Sequence, residues 1–172
     1  SIQGGAGSGK SVLCKKYVEK ESLVLYARAE RFIEESNIDN IWNCCINDIL
    51  NYLNGKKIVF FIDALEFIAD CAQTKFELLQ YLYDVAAKYQ NVYILTSCRT
   101  SDKNAFIKLE TNFSIKTYEV GDITEDELLL LMKKYPVINK MHKMNSYAEL
   151  LKSPFYINLI VSNSIDIDNI ND

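Results

Sequence analysis

Apolar positions along the chain follow two rhythms that alternate. Short runs of β-branched and aromatic residues bounded by polar ones predict strands at "SLVLYARA" (22–29), "IVFFID" (58–63), "NVYILTS" (91–97) and "SIKTYEV" (114–120). Between them the spacing turns helical. One helix is predicted over about 9–20, a second over 37–54 and a third over 74–90. The second carries Ile38, Ile41, Trp42, Cys45, Ile46, Ile49, Leu50 and Leu53 on one face and stops at Asn54-Gly55. "IVFFID" is apolar up to its final Asp, as expected of a strand buried on both faces of a parallel sheet. Strands alternating with helices imply an α/β fold with a doubly wound parallel sheet between two helical layers. From Gly121 onward the pattern is helical only. Thr124-x-x-Glu127 and Ser146-x-x-Glu149 read as capping boxes, the first opening "EDELLLLMKKY" (125–135), and "SPFYINLIVSN" (153–163) starts a helix with Pro154 in its first turn. The expected organisation is an α/β domain over 1–120 and a small helical subdomain over 121–172, incomplete at its end, where "SIDIDNIND" is expected to fray or be cut short.

Composition narrows the classes. With 172 residues, 49% of them hydrophobic, the chain can bury one sizeable core and a small appendage. A net charge of -4 argues against a surface built mainly to grip nucleic acid or an anionic membrane. Cys14, Cys44, Cys45, Cys71 and Cys98 show no C-x-x-C spacing, and their odd number fits free thiols that fill the core in a reducing compartment. His142, the one histidine, has no cysteine near it in sequence, which argues against a zinc site. No apolar run approaches the roughly 18 residues that span a bilayer, so a cytoplasmic location is expected.

The densest chemical signal is Gly4-Gly5-Ala6-Gly7-Ser8-Gly9-Lys10-Ser11, which fits G-x-x-x-x-G-K-[ST] without a mismatch. In a glycine-rich turn that opens a helix, successive backbone N–H groups converge on one concavity, and the helix dipole adds to their attraction for phosphate. Lys10 would reach the β- and γ-phosphates, Ser11 would ligate Mg²⁺, and Val12, the residue that follows, joins the nucleotide-binding set. Only Ser1-Ile2-Gln3 precede the loop, where such a loop normally follows a complete strand. A longer parent chain, cut within its first strand, is therefore expected.

Three further residues fall at strand ends, where ligands sit in such sheets. Asp63 closes the apolar strand 58–63 as a Walker B acid for Mg²⁺. Glu66, three residues on, is a candidate base for the attacking water, although a first helical turn favours an acid for its own reasons. Arg99 follows the strand 91–97, which ends in Thr96 and Ser97, and could stabilise charge on a γ-phosphate. A strand and a helix intervene between the loop and Asp63, a connectivity that resembles the additional-strand branch of P-loop NTPases. An N-K-x-D guanine-reading motif does not follow any strand, since "NKMH" (139–142) lacks the Asp, so ATP is favoured over GTP.

Taken together these segments resemble the STAND class of signalling ATPases, and most of all its NACHT branch. The resemblance is carried by "GGAGSGKS", "VFFIDALEFI", "ILTSCRT", "YEVGDITEDELLLLM" and "LLKSPFYINLIV", in that order and over nearly the whole chain. It implies Lys10 and Ser11 on phosphate and Mg²⁺, Asp63 on Mg²⁺, Glu66 as the water-activating acid, Arg99 as sensor and Pro154 near the adenine. Two positions depart from the family: paired acids are common where Glu66-Phe67 stands, and T-S-R-P is common where Thr96-Ser97-Cys98-Arg99 stands. A lone acid implies slow hydrolysis. The resemblance further implies a switch that holds ADP when closed and forms a homo-oligomer when ATP replaces it, in innate immune or antiviral defence. Effector and sensor domains would lie outside these residues.

Other readings stay open. A P-loop kinase acting on a small molecule would need a lid with several arginines, and "SDKNAFIKLETNF" (101–113) has none. An AAA+ ATPase acting on nucleic acid or protein would usually carry Asp-Glu at the end of the Walker B strand, where this chain has Asp63-Ala64. A nucleotide-stabilised scaffold that has lost hydrolysis is a further alternative.

Overall fold

The structure is a computed structural model and describes residues 1–21, 23–53, 55–69, 73–102 and 115–163. The most deeply buried strand is β3 (Ile58–Asp63), whose first five residues are all buried and whose run of Ile, Val and Phe suits a strand covered on both faces. It is flanked in parallel by β2 (Leu23–Arg28) and β4 (Val92–Arg99), and β4 pairs in parallel with β1 (Ile2–Gly4). With β5 (Tyr118–Val120) the sheet has, among the described residues, five strands in the order β2-β3-β4-β1-β5. β4 thus stands between the strand of the glycine-rich loop and the strand of Asp63, the arrangement expected of the additional-strand α/β fold.

The chain divides into two compact units, Ser1–Gly4 with Lys10–Glu119 and Gly5–Gly9 with Val120–Asp172. In the first unit the helices are α1 (Lys10–Val18), α2 (Glu30–Glu34), α3 (Ile38–Trp42), α4 (Ile46–Tyr52), α5 (Glu66–Ala69) and α6 (Gln73–Lys88). Their apolar faces and the sheet form one core around Phe32, Phe60, Ile62, Leu79 and Leu82. Trp42 sits edge-on to both Phe32 and Phe60, with ring centroids 5.7 and 5.1 Å away. Each such side chain, fully buried, stabilises the fold by about 1.5–3 kcal/mol.

The single helix predicted over 37–54 is two helices, α3 and α4. Asn43 takes a left-handed conformation, φ 54°, which asparagine adopts more easily than most residues. The Asp39 carboxylate then accepts the Ile46 N–H at 2.9 Å, so a residue of α3 caps the start of α4. The apolar spacing survives the break, with Ile38, Ile41, Ile46 and Leu50 all buried. The helices α2 and α5 are too short to show a period and the pattern missed them. The strand predicted over 114–120 begins only at Tyr118 among the described residues, and the one predicted over 91–97 runs on to Arg99.

In the second unit, α7 (Glu125–Lys134), α8 (Pro136–His142) and α9 (Pro154–Ser162) enclose Leu128, Ile138, Met141, Leu151, Ile157 and Ile160. The Thr124–Glu127 capping box is formed, with the Thr124 N–H donating to Glu127 Oε2 at 2.9 Å and the Glu127 N–H donating to Thr124 Oγ1 at 3.3 Å. The second box is not formed. Asn145–Tyr147 and Leu150–Lys152 are single 3-10 turns, and Glu149 pairs instead with Lys152 at 2.6 Å. Pro154 drives Ser153 into an extended conformation, φ -95° and ψ 123°, which stops any helix before it and starts α9 after it.

The cysteines divide. Cys14 and Cys98 are buried and fill the core, Cys44 is half-buried, and Cys45 is exposed where it precedes α4, contrary to the expectation that all five lie inside; Cys71 lies outside the described residues. Among the described residues no helix is long and apolar enough to cross a membrane.

Candidate functional site

The carboxyl end of β3 and the first turn of α1 bring Asp63 and Ser11 together. Ser11 Oγ donates to Asp63 Oδ1 at 2.8 Å. The Lys10 ammonium donates to the Gly4 carbonyl at 3.0 Å, so it folds back across the residue where the loop begins. Val12 is exposed on α1.

Beyond Asp63 the chain turns through Ala64, which has φ +64°. β4 holds this turn. The Ala64 N–H donates to Ser97 Oγ at 2.8 Å, the Leu65 N–H donates to the Ser97 carbonyl at 2.8 Å, and Ser97 Oγ donates to Asp63 Oδ1. From the other side, the Tyr26 hydroxyl on β2 reaches Asp63 Oδ2 at 3.4 Å. Loss of water, and then the charge of Asp63, raise the Tyr26 pKa, so its phenol remains a donor. Neither contact was visible in the sequence. Ser97 had a signal of its own, a hydroxyl at the end of an apolar strand, but what it bonds depends on the β3–β4 register. Tyr26 gave none.

The same turn carries Glu66 to Arg99. Glu66 Oε1 lies 3.1 Å from Arg99 Nε, and Glu66 Oε2 accepts the Arg99 backbone N–H at 3.2 Å. The Glu66 side chain is only 9% exposed and that of Arg99 51% exposed, so the arginine covers the acid while half of its own side chain stays in water. Cys98 does not displace Arg99 from the sheet: the pairing of β4 with β1 sets Arg99 opposite Gly4. Below this cluster lies Cys14, whose thiol is pushed up to about 11 by burial and by the negative charge of Asp63.

In the second unit the loop Gly5–Gly9 rests on the start of α9. The Phe155 N–H donates to the Gly7 carbonyl at 3.2 Å, and the Ser8 N–H to that of Gly5 at 3.3 Å. Gly7 and Gly9 have φ of +75° and +87°, the left-handed region that glycine enters freely. A β-carbon at Gly7 would lie 3.0 Å from that of Phe155, and one at Gly9 would lie 4.0 Å from that of Pro154. The Ser8 hydroxyl is buried and has no hydrogen-bond partner among the described residues.

In the first unit, Lys10, Ser11 and Asp63 fit a nucleoside triphosphate with magnesium: the ammonium suits phosphate charge, while the hydroxyl and the single carboxylate are hard oxygen donors of the kind that share Mg²⁺ with phosphates and water. Within the second unit, the loop by itself offers side-chain-free positions and an unpartnered buried hydroxyl, which suit phosphate. No cluster of three or more His, Cys, Asp or Glu side chains occurs among the described residues, so a cage of side chains alone is not available there.

The fold is the P-loop NTPase α/β fold. Solved structures share it: AMPPCP-bound DnaA from Aquifex aeolicus matches with a TM-score of 0.56 and 18% identity, over 98% of this chain and 54% of that one. A katanin structure, described as the structural basis for katanin self-assembly, matches with a TM-score of 0.55 and 16% identity, over 77% of this chain and 44% of that one. This chain thus spans about half the length of the structures it matches. No protein family and no curated protein sequence matches it.

Proposed function

We propose that the chain is an ATP-binding and slowly hydrolysing module, NACHT-like within the STAND class, whose nucleotide state controls homo-oligomerisation in a cytoplasmic defence or signalling protein. The observation that carries the nucleotide-binding core of this reading is the bond from Ser11 to Asp63, which joins the end of the G-x-x-x-x-G-K-S motif to the acid at the end of β3. Lys10 would neutralise the β- and γ-phosphates, and Gly4 to Val12 would line them. Mg²⁺, held through Ser11 and Asp63, would offset charge on the phosphate oxygens. Glu66 orients the attacking water in this reading, while Arg99 senses the third phosphate with the part of its guanidinium that Glu66 leaves exposed. Pro154 borders the adenine.

Support for slow turnover comes from Glu66: both of its oxygens are engaged by Arg99, so the acid is not idle beside an incoming water. The test is titration of the protein with a fluorescent ATP analogue. Lys10→Ala should abolish binding at micromolar nucleotide, and unchanged binding would refute the reading.

A second reading, equally consistent with the shared fold, is an AAA+-like ATPase acting on nucleic acid. It predicts that single- or double-stranded DNA raises ATP turnover severalfold, whereas the regulatory reading predicts no change.

A further inference from the structure

Asp63 is held by three hydroxyls, and they are not equivalent. Ser97 Oγ accepts the Ala64 N–H, so its own proton is left to point at Asp63 Oδ1. Ser11 donates to that same oxygen. A carboxylate oxygen offers about two lone-pair sites. The two serines therefore fill Oδ1, while Oδ2 carries only the long contact from Tyr26 among the described residues.

We propose that Ser97 is a positioning residue for the cation site: by saturating Oδ1 together with Ser11, it reserves Asp63 Oδ2 for the magnesium ion or a water bound to it. This rests on the ATP-binding reading above. Ser97 is suited to the task because it is buried, sits on the neighbouring strand, and fixes the turn after Asp63 through both its hydroxyl and its carbonyl. Without the hydroxyl, Oδ1 regains an open lone pair and nothing distinguishes the two oxygens as sharply. The carboxylate can then turn. Outer partners that orient a metal-binding side chain are commonly worth a factor of roughly 10–100 in metal affinity.

A purely structural serine would behave differently, since its loss would strip a partner from the Ala64 N–H and lower stability without touching magnesium. The experiment measures binding of a fluorescent ATP analogue in EDTA and across a Mg²⁺ titration, for the wild type, Ser97→Ala and Ser97→Thr, with thermal unfolding in parallel. Ser97→Ala should raise the Mg²⁺ concentration for half-maximal enhancement about tenfold, leave the affinity in EDTA within about twofold, and be rescued by Ser97→Thr. Should Ser97→Ala fail to fold, the same comparison is made in an Ala64→Gly background, which relieves the positive φ and restores stability. An unaltered Mg²⁺ requirement in folded Ser97→Ala protein, or an equal loss with and without Mg²⁺, overturns the inference while the ATP-binding reading stands. A wild type that binds no nucleotide overturns both.

Discussion

Glu66 commits both of its carboxylate oxygens to one residue, the backbone and side chain of Arg99. Removing the arginine side chain would leave a mostly buried carboxylate with only one backbone donor. Arg99→Ala is therefore expected to destabilise the fold by about 1–3 kcal/mol in urea unfolding, and Glu66→Gln, which keeps an acceptor for the Arg99 N–H, by less. The reverse order would show that the pair does not hold the acid. The sequence displayed both residue types at strand ends but not their partnership, because that depends on β4 continuing two residues past the predicted end at Ser97. A second expectation concerns Cys14. Its folded pKa, about 11, lies above the ordinary thiol value of 9.0, so the stability it lends is complete below about pH 9 and is lost as pH rises through about 11. Replacing it by Ala should flatten the fall in stability across that window. At pH 8 a thiol reagent should label exposed Cys45 and spare Cys14, and equal labelling of both would contradict the burial described.

At the scale of elements, the informative departure is the break at Asn43. Helical spacing alone could not reveal it, because the apolar stripe runs unbroken from Ile38 to Leu50 across both helices. The signals that override it are local: an asparagine at φ 54° and an aspartate whose side chain caps the next helix. Asn43→Gly should leave stability within a few tenths of a kcal/mol, whereas Asn43→Val should cost about 1–2 kcal/mol, since a β-branched residue resists the left-handed region. If valine costs nothing, the break is not held at Asn43. The two capping boxes teach the same lesson from opposite sides. Thr124-x-x-Glu127 was legible because ten helical residues follow it, and Thr124→Ala should cost about 1 kcal/mol in thermal or urea unfolding. Ser146-x-x-Glu149 has the same letters, but Pro154 leaves no length for a helix to follow.

For the molecule as a whole, the strand–helix rhythm was enough to reach the α/β fold, because a buried parallel strand such as "IVFFID" has few other homes. The loop's identity was legible for a related reason, since glycine, lysine and serine at fixed offsets answer to the geometry of a phosphate and little else. What stayed hidden were contacts made across strands far apart in sequence, Ser97 and Tyr26 on Asp63 among them, which no spacing along the chain can encode.

The strand order has a temporal consequence. β1 ends at Gly4, and its parallel partner β4 begins at Val92. During synthesis at roughly 5–20 residues per second, β1 must wait several seconds for that neighbour to emerge. The pairing also closes a long chain segment, which slows it further. The glycine-rich loop is thus made well before the strand that completes its setting and is among the last parts of the sheet to be organised, so the capacity to capture a nucleotide should mark the end of folding and not its beginning. In refolding experiments, the fluorescence of a bound ATP analogue should lag behind the recovery of helical circular dichroism.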